Sequence, residues 1–433
     1  MDKQQDIKKK KIELKIKHLL KDYFKAADKA FDPVKSRVEL SSPTYDAQDV
    51  AEALNSLLSG WPTIGPKTRQ VEEKMSKLIG IKNAIMLNSG GSANFLALYL
   101  LTSPYARSEH RLMPGDEIIT PAVTWITTAS PIIQAGCVPV FADINLETYD
   151  INAEEIEKNI TKKTKAIMIV HPMGCSCDMD KINRICRDHG LMLIEDCCES
   201  IGARYRDKHV GGFGLFSTYS FYFSHHITSI EGGIIATKDD YYAEVLRCMR
   251  ANGWLREIRD AKMKQKFIND NPCLDTAFMF PFIGFNFKPT DFAAGLVLGQ
   301  IDRLEDLIQK RTLIAKALTD GLSEYSDYLY LPKPQKSCRH GWFTYPVVLK
   351  DNAPCSKKDL TCFLGKKRID TRPIIAGNIV AQPFLKDFNF RNGCLVNSDL
   401  VMRNGFFLGI HHNMGKKQVK YMVDSLREFF SKR

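Results

Sequence analysis

Between about residues 70 and 240, short apolar runs alternate with stretches of helical pattern, and this alternation constrains the fold of the 433-residue chain most strongly. Strands that alternate with helices form a largely parallel sheet whose two faces are covered by helices. Ligands of such sheets bind outside the carboxyl ends of the strands. Five runs are predicted to be strands of this sheet: residues 83–87, 117–120, 138–141, 166–170 and 191–194.

The rest of the chain predicts a smaller α+β domain. A long helical stretch from Ala293 to Leu322 leads out of the sheet region, and a terminal helix begins at Lys416. Between them lie two segments of extended pattern, at residues 343–349 and 368–375. We therefore predict three parts: an N-terminal basic helical extension over residues 1–35, a large domain over 36–305 and a small C-terminal domain over 306–433.

The positive charge of the chain is concentrated at its N-terminus. The formal net charge is +11, and the first 35 residues hold 11 Lys against 6 acidic residues. Because so much of the positive charge lies in this one segment, it does not indicate a nucleic-acid-binding face spread over the protein. Acidic residues in this segment and the absence of Arg before Arg37 disfavour a mitochondrial transit peptide. We predict an amphipathic helix that packs on its own protein rather than on a membrane, with apolar residues at helical spacing: Ile12, Ile16, Leu19, Tyr23, Ala27 and Phe31.

Nothing in the sequence predicts a membrane span or secretion. Charges interrupt the apolar runs well before the ~20 residues that a span needs, and the chain does not open with a signal-peptide pattern. The twelve cysteines are scattered, and a bridge between adjacent Cys197 and Cys198 would be strained, so we expect reduced thiols. These features predict a cytoplasmic protein.

Polar residues follow two of the predicted strands. Asn88 to Asn94 reads Asn-Ser-Gly-Gly-Ser-Ala-Asn and opens the apolar helix at residues 95–101. Small residues at a helix N-terminus let backbone amides bind a phosphate, although an ordinary glycine turn has the same appearance. Asp196 ends a strand, where it is a candidate for pairing with a positively charged ring nitrogen or for capping a helix.

The segment Ser220 to Gly233 reads Ser-Phe-Tyr-Phe-Ser-His-His-Ile-Thr-Ser-Ile-Glu-Gly-Gly. It resembles the pyridoxal phosphate (PLP) attachment segment of the DegT/StrS group of sugar aminotransferases, in which Ser-Phe-His-x-x-Lys precedes Gly-Glu-Gly-Gly at fixed spacing. Counting from either end places His225 where that Lys forms a Schiff base with the cofactor. Imidazole cannot form this bond, but it can transfer protons. The chain is therefore similar to the branch of the group that dehydrates nucleotide-linked 4-keto-6-deoxyhexoses at C3. The alternative, that His225 and His226 are only core histidines beside a glycine turn, is disfavoured because the spacing matches from both ends of the segment.

The resemblance implies the aspartate aminotransferase-like fold of PLP fold type I, with a mainly parallel seven-stranded sheet between helices. It also implies PLP and pyridoxamine phosphate as cofactor forms and a homodimer with shared sites. The implied cofactor contacts are Gly91, Ser92 and Ser220 to the phosphate, Asp196 to the pyridine nitrogen, Glu199 facing the ring hydroxyl, Trp125 over the ring face and Asn286 reaching the phosphate of the neighbouring subunit.

Two basic segments are candidates for binding the anionic substrate. One carries Arg250, and the other carries Arg372 and Asn378. The planar guanidinium of Arg donates two hydrogen bonds at once to a carboxylate or diphosphate. For either arginine, a structural ion pair is the alternative.

The cysteines distinguish two subtypes of the dehydratase branch. In the subtype with an iron–sulfur cluster, a Cys stands 27 residues before the catalytic His, and Cys198 has this spacing from His225. The other three ligand positions fall on Arg256, Ile258 and Lys266, and a cluster needs four thiolates. We therefore predict no metal, although the opening helix and residues 102–116 look more like the cluster-bearing type. An unusual metal site made of Cys175, Cys177 and Cys198 stays an alternative.

The predicted reaction follows from the resemblance. L-Glutamate would supply the amino group of pyridoxamine phosphate, His225 would move the protons, and loss of the C3 hydroxyl would give a 3,6-dideoxy-4-ketose and ammonia. The substrate would be a nucleotide-diphosphate 4-keto-6-deoxyhexose, with GDP or CDP left open, and the product would serve lipopolysaccharide O-antigen. The alternatives are a reductase-coupled CDP-sugar 3-dehydrase and a non-catalytic sensor or scaffold with this fold.

Overall fold

The computed structural model describes residues 3–27 and 30–432. The side chain of Ala27, one member of the predicted apolar stripe, lies outside the described residues. Among the helices of the described part, none is long and apolar enough to cross a membrane. The helices are α1 Lys3–Ala27, α2 Ala47–Leu58, α3 Pro66–Ile79, α4 Gly90–Thr102, α5 Ile126–Gln134, α6 Ala153–Asn159, α7 Met179–His189, α8 Asp240–Met249, α9 Ala261–Asp270, α10 Asp291–Leu322, α11 Lys357–Lys366, α12 Val396–Asn404 and α13 Lys416–Ser431.

Three sheets accompany these helices, and all five strands predicted from the apolar runs are present, with ends that differ by at most two residues. The strands are β1 Asn83–Leu87, β2 Glu117–Pro121, β3 Val138–Ala142, β4 Thr164–Val170, β5 Met192–Asp196, β6 Arg204–Tyr205, β7 Lys208–His209, β8 Phe216–Ser220, β9 Gly233–Thr237, β10 Leu329–Tyr330, β11 Cys338–Arg339, β12 Tyr345–Leu349, β13 Thr371–Pro373, β14 Arg391–Asn392 and β15 Gly405–Leu408.

The large sheet has the order β1-β9-β8-β5-β4-β2-β3-β14. Strand β9 is antiparallel to β1 and β8, and the other neighbours are parallel. The predicted mainly parallel sheet is confirmed, with eight strands in place of the expected seven. The short eighth strand, β14, comes from the C-terminal part of the chain and extends the edge beside β3.

Helices cover both faces of this sheet because neighbouring strand residues point to opposite sides. Ile118 and Met168 join a buried cluster with α4 and α8, whereas Ile119, Ile167 and Ile169 join a cluster with α6 and α7. Near β1 and β9, a third cluster contains residues of α3 and the long helix α10. The sheet is therefore a buried, rigid platform, and its strand ends can hold side chains at fixed positions.

The smaller domain is built on an antiparallel sheet with the order β10-β12-β15-β13. Helices α11 and α13 and the C-terminal half of α10 pack on it around one apolar cluster. Val38 is buried in this cluster and pairs with Ile369, although our sequence-based boundary placed it in the large domain. The small β11-β6-β7 sheet connects residues of the two parts.

The N-terminal helix packs on the rest of the protein over only part of its length. Ile16 lies beside α2, and Lys17 forms an ion pair with Glu52 at 3.5 Å. Three members of the predicted apolar stripe, Ile12, Leu19 and Tyr23, are nevertheless exposed. The prediction of a helix is confirmed, whereas the expected burial of its apolar stripe is wrong for these three residues.

Candidate active site

A glycine-rich turn joins β1 to α4 at the carboxyl edge of the large sheet. Ser89 caps the helix: its Oγ accepts a hydrogen bond from the backbone N–H of Ser92 at 3.0 Å and donates to the Ser92 hydroxyl at 2.9 Å. A Cβ atom at Gly90 would lie 2.7 Å from Cβ of Ser220 and 2.9 Å from Sγ of Cys198, so only glycine fits there. The turn therefore brings Gly91 and Ser92 close to Ser220, which ends β8.

Asp196 ends β5 and is buried beside this turn. Its Oδ2 accepts hydrogen bonds from Nδ2 of Asn94 at 2.7 Å and from the Thr128 hydroxyl at 2.9 Å, while Oδ1 accepts from the backbone N–H of Cys198 at 3.1 Å. Thr218 in turn donates to Oδ1 of Asn94. The carboxyl group is thus fixed in one orientation by neutral donors, which leaves it free to pair with a cation.

His225 lies in the turn after β8. Its Nδ1 is 3.3 Å from the carbonyl oxygen of Ser220, and its ring meets the rings of Tyr222 and Phe343 edge to face, at centroid distances of 6.0 and 5.1 Å. Burial lowers the pKa of His225 to about 4, against the opposing effects of the Ser220 carbonyl and the Asp196 charge. The imidazole is therefore neutral at neutral pH. With Nδ1–H donating to Ser220, the Nε2 lone pair is available as a base.

His226 has a different environment from its neighbour. It is fully buried, and its Nε2–H donates to the carbonyl oxygen of Gly341 at 2.8 Å. Burial, followed by the charge of Arg311, lowers its pKa well below the usual range. Since this ring is fixed by the loop at residues 340–343, His225 is the better placed of the two histidines for proton transfer.

Glu199 follows Asp196 by three residues and accepts a hydrogen bond from the backbone N–H of Met173 at 2.8 Å. Burial raises the pKa of Glu199 to about 7, partly opposed by this bond. Near neutral pH its carboxyl group is therefore a donor in part of the molecules and an acceptor in the rest.

Two other predicted cofactor contacts lie on the surface around the turn. Trp125 directly precedes α5 and is 55% exposed. Asn286 is exposed too, between Phe285 and Phe287. Both phenylalanines line a pocket of about 410 Å³ together with Gly91, Ser92, Phe95, Thr127, Ser130, Pro131 and Gln134. The predicted phosphate-binding turn and the two neighbours of Asn286 thus border the same surface cleft.

The structure places Arg250 away from solvent, against our expectation of a substrate contact. Its side chain is 1% exposed, and Nη1 bonds to Glu72 at 2.6 Å and to the carbonyl oxygen of Met86 at 2.7 Å. Arg259 pairs with the same carboxylate at 2.6 Å. We correct the assignment of Arg250 to the alternative, a structural ion pair, because its charge is already compensated inside the protein.

In the second basic segment, one of the two predicted substrate contacts is exposed and the other is buried. Arg372 is exposed on β13 and remains a candidate substrate contact. Asn378 is buried, and both ends of its amide are used: Oδ1 accepts from the N–H of Val380 at 3.0 Å, and Nδ2 donates to Asp399 at 2.8 Å. Its expected contact with substrate is corrected to a turn-stabilising role.

The cysteines of the alternative metal site have separate partners. Cys177 donates to the carbonyl oxygen of Val170, Cys198 lies beside Gly90, and Cys175 lies beside Cys338. A group of three potential metal donors in the described part consists of His171, Glu195 and Cys197. The Glu195 oxygens accept hydrogen bonds from His171 Nε2 at 3.0 Å and from the backbone N–H groups of Gly211, Phe213 and Gly214. Protein donors therefore already satisfy this carboxylate.

Sequence reasoning missed the groups that orient the site. Asn94 and Thr128 hold Asp196, and Phe343 from the smaller domain packs against His225. Asn94 lies inside the glycine-rich motif, so its place in that motif could have indicated a role in the site. Phe343 is more than a hundred residues from His225 in the chain, and no local pattern links the two.

Comparisons with known proteins identify the family of the chain. The model of the DegT/DnrJ/EryC1/StrS aminotransferase family matches residues 43–427. The lipopolysaccharide biosynthesis protein RfbH of Salmonella typhimurium is 35% identical over 405 residues, which cover 91% of this chain and 92% of that protein. GDP-4-keto-6-deoxy-D-mannose 3-dehydratase of Escherichia coli O55:H7 is 32% identical over 390 residues, 90% of this chain and 99% of the enzyme.

A solved structure of GDP-4-keto-6-deoxymannose-3-dehydratase with a trapped PLP-glutamate geminal diamine has a TM-score of 0.81 and 31% identity, and the match covers 90% of this chain and 99% of that one. The likeness extends over both parts of the fold and confirms the predicted PLP-dependent aminotransferase architecture. The chain therefore belongs to the DegT/DnrJ/EryC1/StrS aminotransferase family.

Proposed function

We propose that the protein is a PLP-dependent dehydratase that removes the C3 hydroxyl of a nucleotide-linked 4-keto-6-deoxyhexose, with glutamate as amino donor. The observation that carries the proposal is a neutral histidine, His225, which matches the Schiff-base lysine in the sequence and is close enough to the fixed carboxylate of Asp196 for that charge to oppose the lowering of its pKa by burial. The named relatives support it, because one is a GDP-4-keto-6-deoxy-D-mannose 3-dehydratase and a solved neighbour holds PLP joined to glutamate.

The residues of the site fit this cofactor. The N-terminus of α4 and the hydroxyl of Ser220 form an anion-binding cradle that a side chain at position 90 would fill. Asp196 would keep the pyridine nitrogen protonated, Glu199 would face the ring hydroxyl, and Trp125 would lie over the ring. When bound, the cofactor supplies an electron sink for carbanions next to its imine carbon.

His225 is the proton carrier of the proposed reaction. With Nδ1–H held by the Ser220 carbonyl, the neutral Nε2 carries a lone pair, so it can accept the α-proton of glutamate in the first half and a C4′ proton of the pyridoxamine form of the cofactor in the second. The protonated ring can then assist departure of the C3 hydroxyl. The Ser220 carbonyl holds the ring in place and stabilises the Nδ1–H form throughout.

Several finer assignments belong to the same proposal. A second copy of the chain would cover the cleft beside the phosphate-binding turn and place its own Asn286 there, which makes the enzyme a homodimer with shared sites. Arg372 would bind the diphosphate of the substrate. We further propose that the enzyme acts in the cytoplasm and that its product enters a 3,6-dideoxyhexose of an O-antigen.

Two other functions make different predictions. A reductase-coupled CDP-sugar dehydrase would contain iron and need an electron donor. A non-catalytic scaffold would not need a fixed carboxylate such as Asp196, whose three donors orient it for a cationic ring.

Incubation of the protein and PLP with GDP- and CDP-linked 4-keto-6-deoxyhexoses, each with and without glutamate, tests the proposal. Mass spectrometry should detect a nucleotide sugar that has lost one oxygen atom, only in the presence of glutamate. A 4-amino sugar as product would show transamination, and unchanged sugars under all conditions would favour the scaffold.

A further inference from the structure

Two cysteines that take no part in the proposed chemistry lie side by side at the boundary of the two parts of the fold. Cys175 follows β4 and is 2% exposed, whereas Cys338 begins β11 and is half-buried. Their Sγ atoms are 3.7 Å apart. We call the two chain segments that carry them, residues 173–176 and 338–343, the seam.

Backbone hydrogen bonds hold the seam in register without help from the thiols. The N–H of Gly341 donates to the carbonyl oxygen of Gly174 at 2.7 Å, and the N–H of Phe343 donates to that of Met173 at 2.9 Å. A disulfide needs its sulfur atoms at about 2.05 Å, so a local approach of less than about 2 Å would join the two cysteines.

The two thiols have unlike surroundings. Sγ of Cys338 faces the thiol of Cys175 and accepts a hydrogen bond from the N–H of Ser176 at 3.2 Å. The hydrogen bond from Cys175, helped by that from Ser176 and opposed by burial, lowers the pKa of Cys338, while the pKa of Cys175 is raised. Cys338 is therefore suited to be the attacking thiolate, and it is also the more accessible of the pair.

Both sides of the seam contact the active site. Met173 donates its N–H to Glu199 at 2.8 Å, and the ring of Phe343 meets His225 at 5.1 Å and His226 at 5.8 Å. A movement of the seam thus reaches the proposed acid–base group, His225, and the carboxyl group of Glu199 together. Displacement of a catalytic group by about 1 Å can lower a rate by about 10²-fold.

We propose that Cys175 and Cys338 form a reversible disulfide that slows turnover by shifting Phe343 and Met173. With glutathione disulfide as the oxidant, the Cys338 thiolate attacks one of its sulfur atoms and releases one glutathione thiolate. Cys175 then loses its proton and attacks the mixed disulfide at Cys338, which releases a second glutathione. Two protein thiols are oxidised, and one organic disulfide is reduced. In a reducing compartment the pair rests as thiols.

Equilibration of the holoenzyme in glutathione buffers of increasing oxidation, followed by alkylation and peptide mass spectrometry, tests for the bond. A linked peptide pair containing Cys175 and Cys338 should appear, and kcat should fall about 10-fold or more and recover with dithiothreitol. Cys338→Ser and Cys175→Ser should be insensitive, whereas Cys273→Ser, which changes an exposed thiol elsewhere, should respond like the native enzyme.

Formation of the disulfide does not depend on which reaction the enzyme catalyses, whereas its effect on kcat rests on the proposed function. Failure to link the two cysteines in strongly oxidising buffer would overturn the inference, whatever the enzyme catalyses. A linked pair with unchanged turnover would overturn the control of activity. A native enzyme that forms the linked pair but acts on no sugar would instead refute the proposed function.

Discussion

At the scale of single residues, the site depends on the contrast between two adjacent histidines. His225 contacts the protein through Nδ1 and two aromatic rings, whereas His226 is fully buried and bound to Gly341. We therefore assign proton transfer to His225 and a structural, packing role to His226. Burial sets the pKa of both rings low, and for His225 the charge of Asp196 opposes this effect.

Substitution of His225 by Asn should lower kcat by about 10²–10⁴-fold, the usual contribution of a general acid–base group, because an amide of similar size has no useful base. Equilibrium dialysis should show that PLP still binds. His225→Lys should instead leave a covalent pyridoxyl adduct after borohydride reduction, detectable in the intact mass, and the native protein should not. Turnover of the Asn variant at the native rate would mean that another group is the base.

Substitution of Glu199 by Gln tests the raised pKa of that carboxyl group. A buried acid whose folded pKa of about 7 exceeds its unfolded value lowers the free energy of unfolding as pH rises from about 4.5 to 7. The Gln variant cannot ionise, so its melting temperature should exceed that of the native protein at pH 8 and match it at pH 4. Equal melting temperatures at pH 8 would contradict the raised pKa.

At the scale of elements, the two arginines that looked equivalent in the sequence lie on different parts of the fold. Arg250 directly follows α8 and its side chain contacts Glu72 on α3, whereas Arg372 is on the edge strand β13. The strands and helices around them follow from local patterns of apolar residues. Which arginine becomes buried does not, because that depends on where α3 meets α8 in three dimensions.

Arg250→Ala should destabilise the protein by about 3–5 kcal/mol, since it leaves the buried Glu72 with Arg259 as its remaining ion-pair partner. Urea denaturation measures this loss, and KM for the sugar should stay unchanged. The matched variant Arg372→Ala should keep native stability and raise KM. A raised KM with unchanged stability in the Arg250 variant would restore our first assignment.

At the scale of the whole molecule, the sequence predicted the large sheet and the long helix α10, because each rests on the periodicity of apolar residues within a segment. It did not predict β14, the exposed stripe of α1 or the contact of Phe343 with His225. Strand β14 and the Phe343 contact join segments that are far apart in the chain, and the exposure of the α1 stripe depends on how much of that helix the rest of the protein covers, so none of the three leaves a local pattern.

The shared site of the proposed homodimer can be tested with hybrid dimers. Asn286→Ala should weaken PLP binding and activity, and His225→Asn should be nearly inactive. If Asn286 serves the neighbouring subunit, a hybrid of the two variants contains one site with both native residues. Activity should therefore rise when the two chains are co-expressed and purified through separate tags. A hybrid no more active than its parents would place Asn286 in its own subunit's site or outside both sites.

The central claim is that a histidine in place of the lysine makes this protein a glutamate-dependent dehydratase, and the stoichiometry of the amino donor tests it most directly. During anaerobic turnover with no reductase present, 2-oxoglutarate and ammonia should each accumulate one for one with the 3-deoxy sugar. The purified protein should contain no stoichiometric iron. Turnover that ignores glutamate but requires NADH and a reductase, or about two irons per chain, would contradict the account.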